Sequence, residues 1–135
     1  MKNIFLLILL ISSVAFSQWI RTGPSTVSTS GMVALTNGTL LVGTIGYGVY
    51  KSTDGGGNWT ASNTGLPANI GFVNYMVNKN DTVFAIAENR ATGYTTAYRS
   101  INAGATWLAA NTGLPTNQTY GKLFVGPNSL FLPLG

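Results

Sequence analysis

The feature that most constrains the fold of this sequence is an eight-residue motif that occurs twice. Ser52–Trp59 reads Ser-Thr-Asp-Gly-Gly-Gly-Asn-Trp, and 48 positions later Ser100–Trp107 reads Ser-Ile-Asn-Ala-Gly-Ala-Thr-Trp. The phrase Asn-Thr-Gly-Leu-Pro follows each copy at the same distance, at 63–67 and at 111–115. Agreement over so long a stretch indicates a duplicated structural unit.

Short apolar runs separated by turn residues surround each motif and predict β-strands. The pair Asn37-Gly38 predicts a two-residue type I′ hairpin turn, because both residues accept a positive φ. We find no helical periodicity after the first eighteen residues, so the sequence predicts an all-β protein. The predicted strands lie at 32–35, 39–43, 48–52 and 59–61, then at 72–77, 82–87, 95–100 and 107–109, and finally at 122–125 and 129–132.

Four antiparallel strands per unit, with a period between 40 and 50 residues, are typical of a β-propeller blade. The sequence predicts a partial propeller over 18–135, with blade one at about 27–62, blade two at about 72–110 and the start of blade three at 121–135. Trp19-Ile20-Arg21 has the pattern of the last strand of a further blade. Stacked repeats need roughly three units and covered ends, so we expect the ring to be completed by missing blades of a longer chain or by a homo-oligomer.

The first seventeen residues predict a secretory signal peptide. Lys2 supplies a positive charge, Ile4–Ile11 is an unbroken apolar run, and Ala15-Phe16-Ser17 precedes the predicted cleavage after Ser17. The apolar run is far shorter than the roughly 20 residues of a spanning helix, so no stable membrane span is expected. The sequence therefore predicts a protein that is exported to the periplasm, the cell surface or the medium.

Composition excludes several classes of function. The formal net charge is +4, but the Lys and Arg residues are scattered rather than clustered, which argues against nucleic-acid binding. The sequence contains neither cysteine nor histidine. Ser-His-Asp triads and Cys/His metal sites are therefore absent, and no cofactor or metal is expected.

The repeated motif resembles the Asp-box, or bacterial neuraminidase repeat, of sialidases, xyloglucan-degrading glycosidases, sortilin-type receptors and photosystem assembly factors. The leader and the phrase at 63–67 also resemble secreted proteins of Bacteroidetes-type bacteria. The resemblance implies a structural hairpin between the third and fourth strands of a blade, on the side away from an active site. The second copy departs from the pattern at its acidic position. The matching residues are Ser52, Asp54, Gly56 and Trp59 in the first copy and Ser100, Asn102, Gly104 and Trp107 in the second.

Acidic residues are too few for the usual glycosidase chemistry. The chain contains Asp54, Asp81 and Glu88, and the first two belong to predicted turns, where a short carboxylate accepts bonds from backbone N–H groups. Most glycosidases need a carboxyl pair, and sialidase-like chemistry would also need an arginine cluster. We therefore assign no catalytic residue, and the expected function is an exported, non-catalytic module for binding or scaffolding. The alternative is the N-terminal part of a sialidase-like or xyloglucanase-like hydrolase.

Loops at the opposite end from the Asp-box turns form the candidate ligand face. They connect the second and third strands of each blade and join one blade to the next. Aromatic and charged side chains there can stack on, or hydrogen-bond, a carbohydrate or protein ligand. The candidate residues are Tyr47, Glu88, Arg90, Tyr94 and Tyr120.

Overall fold

A computed structural model describes residues 22–133, and within them the chain forms three antiparallel sheets without any helix. Blade one contains β1 (Thr29–Ala34), β2 (Leu40–Thr44), β3 (Val49–Ser52) and β4 (Thr60–Ala61). Blade two contains β5 (Ile70–Lys79), β6 (Thr82–Asn89), β7 (Thr95–Ser100) and β8 (Leu108–Ala109). The third-blade hairpin contains β9 (Phe124–Val125) and β10 (Leu130–Phe131).

In each sheet the spatial order of the strands follows their order in the chain, so every connection is a hairpin or a short loop. These sheets confirm the all-β prediction, with four-stranded blades in a ring that is not closed. Within 22–133 no helix could cross a membrane. The predicted signal peptide at 1–17 and the predicted strand Trp19-Ile20-Arg21 lie outside the described residues.

Alternating side chains on β6 show how the blades stack. Val83, Ala85 and Ala87 are buried in the main core, which lies between blades one and two. The intervening Phe84 and Ile86 contact a second apolar cluster under the third-blade hairpin. Since successive side chains of a strand point to opposite faces, blade two is covered on both faces, and β6 is apolar at every position from Val83 to Ala87.

Glycine permits the closest approach between blades one and two. A Cβ added to Gly43 on β2 would overlap the Val73 carbonyl oxygen of β5. The two blades are also tied by an isolated bridge between Ile45 and Phe72 and by a 2.6 Å bond from the Gly46 N–H to the Gly71 carbonyl. The backbone of β2 therefore packs directly against the innermost strand of the next blade.

The two-residue type I′ turn predicted at Asn37-Gly38 is wrong. Gly38 has a φ of 82°, but Asn37 is not among the residues with positive φ, and the Leu35 carbonyl accepts the Gly38 N–H at 3.0 Å. The Leu35 N–H also donates to the Thr39 carbonyl at 2.9 Å. The loop between these two residues therefore has three residues, as in a type I turn followed by a bulge. The two-residue turn with two positive φ angles lies instead between β5 and β6, at Asn80 (51°) and Asp81 (58°).

Candidate functional site

The two turns that contain the repeated motif are called the Asp-box turns here, after the motif that they resemble. The first, between β3 and β4, is held by its own side chains. The Ser52 hydroxyl lies 2.8 Å from Asp54 Oδ1 and accepts the Gly56 N–H at 2.9 Å. The Asp54 carboxylate also accepts the backbone N–H of Asn58 at 2.9 Å and its side-chain amide at 2.6 Å. Bonds from the Asn58 backbone, the Asn58 side chain and Ser52 lower the pKa of Asp54 from 3.8 to about 2. Asp54 is thus occupied in the turn.

The second Asp-box turn, between β7 and β8, repeats this arrangement with an amide. Ser100 lies 2.9 Å from Asn102 Oδ1 and accepts the Gly104 N–H at 2.9 Å. The Asn102 oxygen accepts the Thr106 N–H at 2.9 Å, while its amide nitrogen donates to the Thr106 hydroxyl at 2.8 Å. The neutral side chain therefore makes the same backbone contact as the carboxylate in the first turn.

The two Asp-box tryptophans differ in their surroundings. Trp107 is 1% exposed, and its indole N–H donates to the Ser62 carbonyl of blade one at 2.8 Å. Trp59 is only half-buried, and its indole N–H returns to the Gly56 carbonyl of its own turn at 3.0 Å. Trp107 therefore joins two blades, whereas Trp59 closes a single hairpin.

Asp81 occupies the same end of the molecule as the Asp-box turns, in the β5–β6 hairpin. Its carboxylate accepts the Thr36 N–H at 3.0 Å and also the Thr36 hydroxyl. These bonds, the hydroxyl first, hold the pKa of Asp81 below its usual value. Since the chain has three acidic residues, Glu88 is the one carboxyl that belongs to the opposite, candidate ligand face.

The structure divides the five candidate ligand residues into two groups. Glu88 and Arg90 lie at the junction of blades one and two, where Glu88 approaches Gly71 and the Arg90 guanidinium lies against Gly46. The exposed Tyr47 follows Gly46 in the same loop. The other two, Tyr94 and Tyr120, line a cleft on the far side of blade two.

This cleft, which we call the Tyr94 cleft, has a volume of about 350 Å³ and lies between the β6–β7 loop and the connection from β8 to β9. Tyr94 is 43% exposed at its mouth. Every lining residue is uncharged, and most carry a hydroxyl or an amide. The lining consists of Asn89, Thr92, Tyr94, Thr95, Thr96, Asn111, Pro115, Thr116, Asn117 and Tyr120.

Tyr120, the other candidate residue of this cleft, is buried. It is 5% exposed, its N–H donates to the Thr95 hydroxyl at 2.7 Å, and its own hydroxyl donates to the Pro115 carbonyl. The ring packs in the apolar cluster under the third-blade hairpin. Tyr120 therefore forms part of the floor of the Tyr94 cleft and shapes it.

Blade one carries a related cleft of about 320 Å³ on the same face. Its lining includes Tyr47, Asn63 and Pro67, and the last two are the counterparts, 48 residues earlier, of Asn111 and Pro115. The Asn63 side-chain oxygen accepts the Val49 N–H at 2.7 Å, as that of Asn111 accepts the Ala97 N–H at 3.1 Å. The repeated Asn-Thr-Gly-Leu-Pro phrase lies in the inter-blade loops that the sequence predicted for the ligand face, although none of its residues was among the five candidates.

Within residues 22–133, His, Cys, Asp and Glu side chains form no group of three that could hold a metal ion. Comparison of the chain with protein-family models, with curated proteins and with solved structures gave no match.

Proposed function

We propose that the chain is an exported, non-catalytic binding module of the Asp-box propeller type, and that it holds a neutral carbohydrate in the Tyr94 cleft. The observation that carries this proposal is the chemistry of the cleft lining. An exposed aromatic ring stands beside amide and hydroxyl groups, with no charged side chain in the lining.

Each part of this lining has a counterpart on a sugar. The apolar C–H face of a pyranose packs on an aromatic ring, and Tyr94 presents such a ring at the mouth of the cleft. Sugar hydroxyls exchange hydrogen bonds with amides and hydroxyls, which Asn89, Thr92 and Asn117 supply. Concave sites with a few fixed polar groups are the usual form of small-ligand sites.

The positions of the acids favour binding over hydrolysis. Asp54 and Asp81 both bond to turn residues at the end opposite the Tyr94 cleft. Glu88 lies at the junction of blades one and two, beside Gly71. A two-carboxylate mechanism requires two carboxyls across one scissile bond, and these three positions supply no such pair.

Affinity gel electrophoresis through neutral and acidic polysaccharides tests the proposal. We expect at least one neutral polysaccharide to retard the purified protein, and Tyr94→Ala to weaken that binding about tenfold, which corresponds to ~1.4 kcal/mol. Tyr94→Phe keeps the ring and is expected to retain most of the affinity. Ile101→Ala, at an exposed position on the second Asp-box turn, serves as the surface control.

Three results would contradict this function. Retardation by acidic polysaccharides alone would show that the uncharged cleft is not the site. Release of reducing sugar from a retarding polysaccharide would show hydrolysis and would favour the glycoside hydrolase alternative. Equal binding by the Tyr94→Ala variant and the unmodified protein would place the ligand elsewhere on the surface.

A further inference from the structure

An apolar cavity of about 170 Å³ lies between blade two and the third-blade hairpin. Its lining comes from three parts of the chain: β6 and β7, the segment that follows β8, and the hairpin itself. The lining includes Phe84, Ala110, Thr112, Leu114 and Leu130. This cavity shares no lining residue with the Tyr94 cleft and is not used in the proposed function.

On blade one, the position that corresponds to this cavity is occupied by Trp107 of blade two. The indole N–H donates to the Ser62 carbonyl at 2.8 Å, and the backbone N–H of Trp107 donates to the Thr64 carbonyl at 2.8 Å. Leu66 packs against the same core cluster. Leu41 lies against Gly104 of the turn that carries the tryptophan. Blade one thus forms a socket for the tryptophan of blade two.

The cavity is built from the same positions one repeat later. A shift of 48 residues converts Ser62, Thr64 and Leu66 into Ala110, Thr112 and Leu114, all of which line the cavity. Strand pairing supplies the fourth position, because Leu41 pairs with Lys51 and Phe84 pairs with Arg99, which is Lys51 shifted by 48.

The local backbone repeats as well. The N–H of Ser62 donates to the Val49 carbonyl at 2.8 Å, and that of Ala110 donates to the Ala97 carbonyl at 2.7 Å. A backbone hydrogen bond closes the turn that follows in both copies. The Leu66 N–H donates to the Asn63 carbonyl at 2.9 Å, and the Leu114 N–H donates to the Asn111 carbonyl at 2.8 Å. The two sockets therefore have the same frame.

The second socket is open where the first is filled. A Cβ added to Gly65 would overlap the Trp107 carbonyl, whereas nothing lies within 4 Å of one added to Gly113. Among the hydrogen bonds of residues 22–133, none reaches the Ala110 or Thr112 carbonyl. These are the counterparts of the two carbonyls that receive Trp107.

A strand edge adjoins the open socket. Within the described range β10 pairs with β9 alone, whereas β2, its counterpart in blade one, pairs with β1 and β3. An unpaired edge accepts an added strand through main-chain hydrogen bonds. A hairpin added at this edge would present its turn to the socket as the β7–β8 hairpin presents Trp107.

We propose that this cavity is a socket for an indole, and that its ligand is an Asp-box β-hairpin that adds to β10 and inserts its tryptophan between Phe84, Ala110 and Leu114. The indole N–H then donates to the Ala110 carbonyl, and the tryptophan backbone N–H donates to the Thr112 carbonyl. The cavity thereby recognises one class of partner, a hairpin with tryptophan seven residues after its serine.

The test supplies such a hairpin from this chain itself. Residues 46–64, which contain the β2–β3 loop and the first Asp-box, are appended directly after Gly135, so that residue 46 follows Leu130 of β10 at the same distance, six residues, as it follows Leu40 of β2. A second fusion protein, otherwise identical, carries Trp59→Ala in the appended copy alone. We expect the fusion with the indole to melt at least about 4 °C higher than the fusion without it.

Two further variants locate the effect. Ala110→Leu fills the socket and is expected to abolish the difference in melting temperature between the two fusions. Thr116→Leu, in the Tyr94 cleft, is the matched control and is expected to preserve that difference. Equal melting temperatures of the two original fusions would overturn the proposal. So would a difference that survives Ala110→Leu.

Discussion

At the scale of single residues, the two Asp-box turns differ chiefly in whether their central side chain is charged. Asp54 accepts the Asn58 N–H and Asn102 accepts the Thr106 N–H, both at 2.9 Å. The geometry is the same, but only Asp54 can gain or lose a proton. The two turns therefore respond differently to acid.

We expect acid to destabilise the protein through Asp54 and Asp81. In the folded state the pKa of Asp54 is about 2, below its ordinary 3.8, and that of Asp81 is also lowered, by bonds from Thr36. Folding therefore favours the ionised carboxyls. The stabilisation from Asp54 is fully present above about pH 5 and is lost as the pH falls through about 2, and Asp81 contributes in the same direction.

Melting temperatures measured from pH 7 down to about pH 2 test this expectation. The unmodified protein should show a plateau above about pH 5 and a fall below about pH 4. Asp54→Asn should show a smaller fall over the same interval, while Asn102→Ala should lower the whole curve without changing its shape. A fall of equal size in Asp54→Asn would show that this carboxyl is not responsible.

The tryptophans give a second contrast between matched residues. Trp107 is 1% exposed between two blades, so Trp107→Ala is expected to cost about 3–5 kcal/mol of unfolding free energy. Trp59 is half-buried against its own turn, and Trp59→Ala is expected to cost only about 1 kcal/mol. Urea denaturation of the two variants measures both values, and equal losses would contradict the assignment of Trp107 as the link between blades.

At the scale of elements, the hairpins show how loop length selects backbone conformation. The β5–β6 hairpin places Asn80 and Asp81 at positive φ, whereas the β1–β2 hairpin spreads its reversal over three residues and needs positive φ only at Gly38. Asparagine and aspartate tolerate the left-handed region better than other residues with a side chain. Asn80 therefore suits its position because asparagine tolerates the positive φ that the turn requires.

Substitution of Asn80 tests this interpretation. Asn80→Ala is expected to destabilise the protein by about 1 kcal/mol, because alanine has no local bond to offset the left-handed conformation. Asn80→Gly, which lacks a Cβ, is expected to be close to neutral. Thermal unfolding of the pair separates backbone strain from loss of the side chain, since both variants remove the amide. An alanine variant as stable as the glycine variant would contradict it.

The strands could be predicted because their signals are local. Apolar alternation and the 48-residue offset located all ten of them, although β5 runs from Ile70 to Lys79 rather than from 72 to 77. The extra residues at both ends of β5 pair with β6, from Ile70 with Asn89 to Lys79 with Thr82, and two register shifts lie between Ile70 and Tyr75. The three-residue loop at Thr36–Gly38 escaped prediction for a related reason, since an Asn-Gly pair fits loops of both lengths.

The candidate site was less predictable because it depends on packing between distant segments. The sequence placed Tyr120 in a loop of the candidate ligand face, whereas packing under the third-blade hairpin buries it. Trp59 and Trp107 have the same local motif, and only the presence of Ser62 and Thr64 beside Trp107 distinguishes them. Such contacts join segments that are distant in the sequence, so the residues next to each tryptophan do not predict them.

At the scale of the whole molecule, the third-blade hairpin presents apolar side chains to solvent. Phe124 is 50% exposed, Val125 44% and Phe131 59%. Contiguous exposed apolar surface of this kind promotes association. We expect the apparent mass in gel filtration to rise with protein concentration, and Phe124→Ser with Phe131→Ser to reduce that rise.

Ile101→Ser is the matched control for this prediction. Ile101 is 70% exposed, but it lies on the second Asp-box turn, away from the hairpin. Its replacement is expected to leave the concentration dependence unchanged. An apparent mass that stays constant with concentration would contradict the prediction, as would an equal effect of all three serine substitutions.

The consecutive order of strands also bears on the kinetics of folding. Within each sheet every strand pairs with its immediate neighbour in the chain. Each sheet therefore forms by closing short loops, which costs little conformational entropy and favours fast folding. Blade one is complete in sequence by Ala61, whereas the indole that ties it to blade two arrives 46 residues later, at Trp107. A nascent chain can therefore form its sheets one after another as it lengthens, and the docking of Trp107 completes the contact between blades one and two that begins when β5 packs against β2.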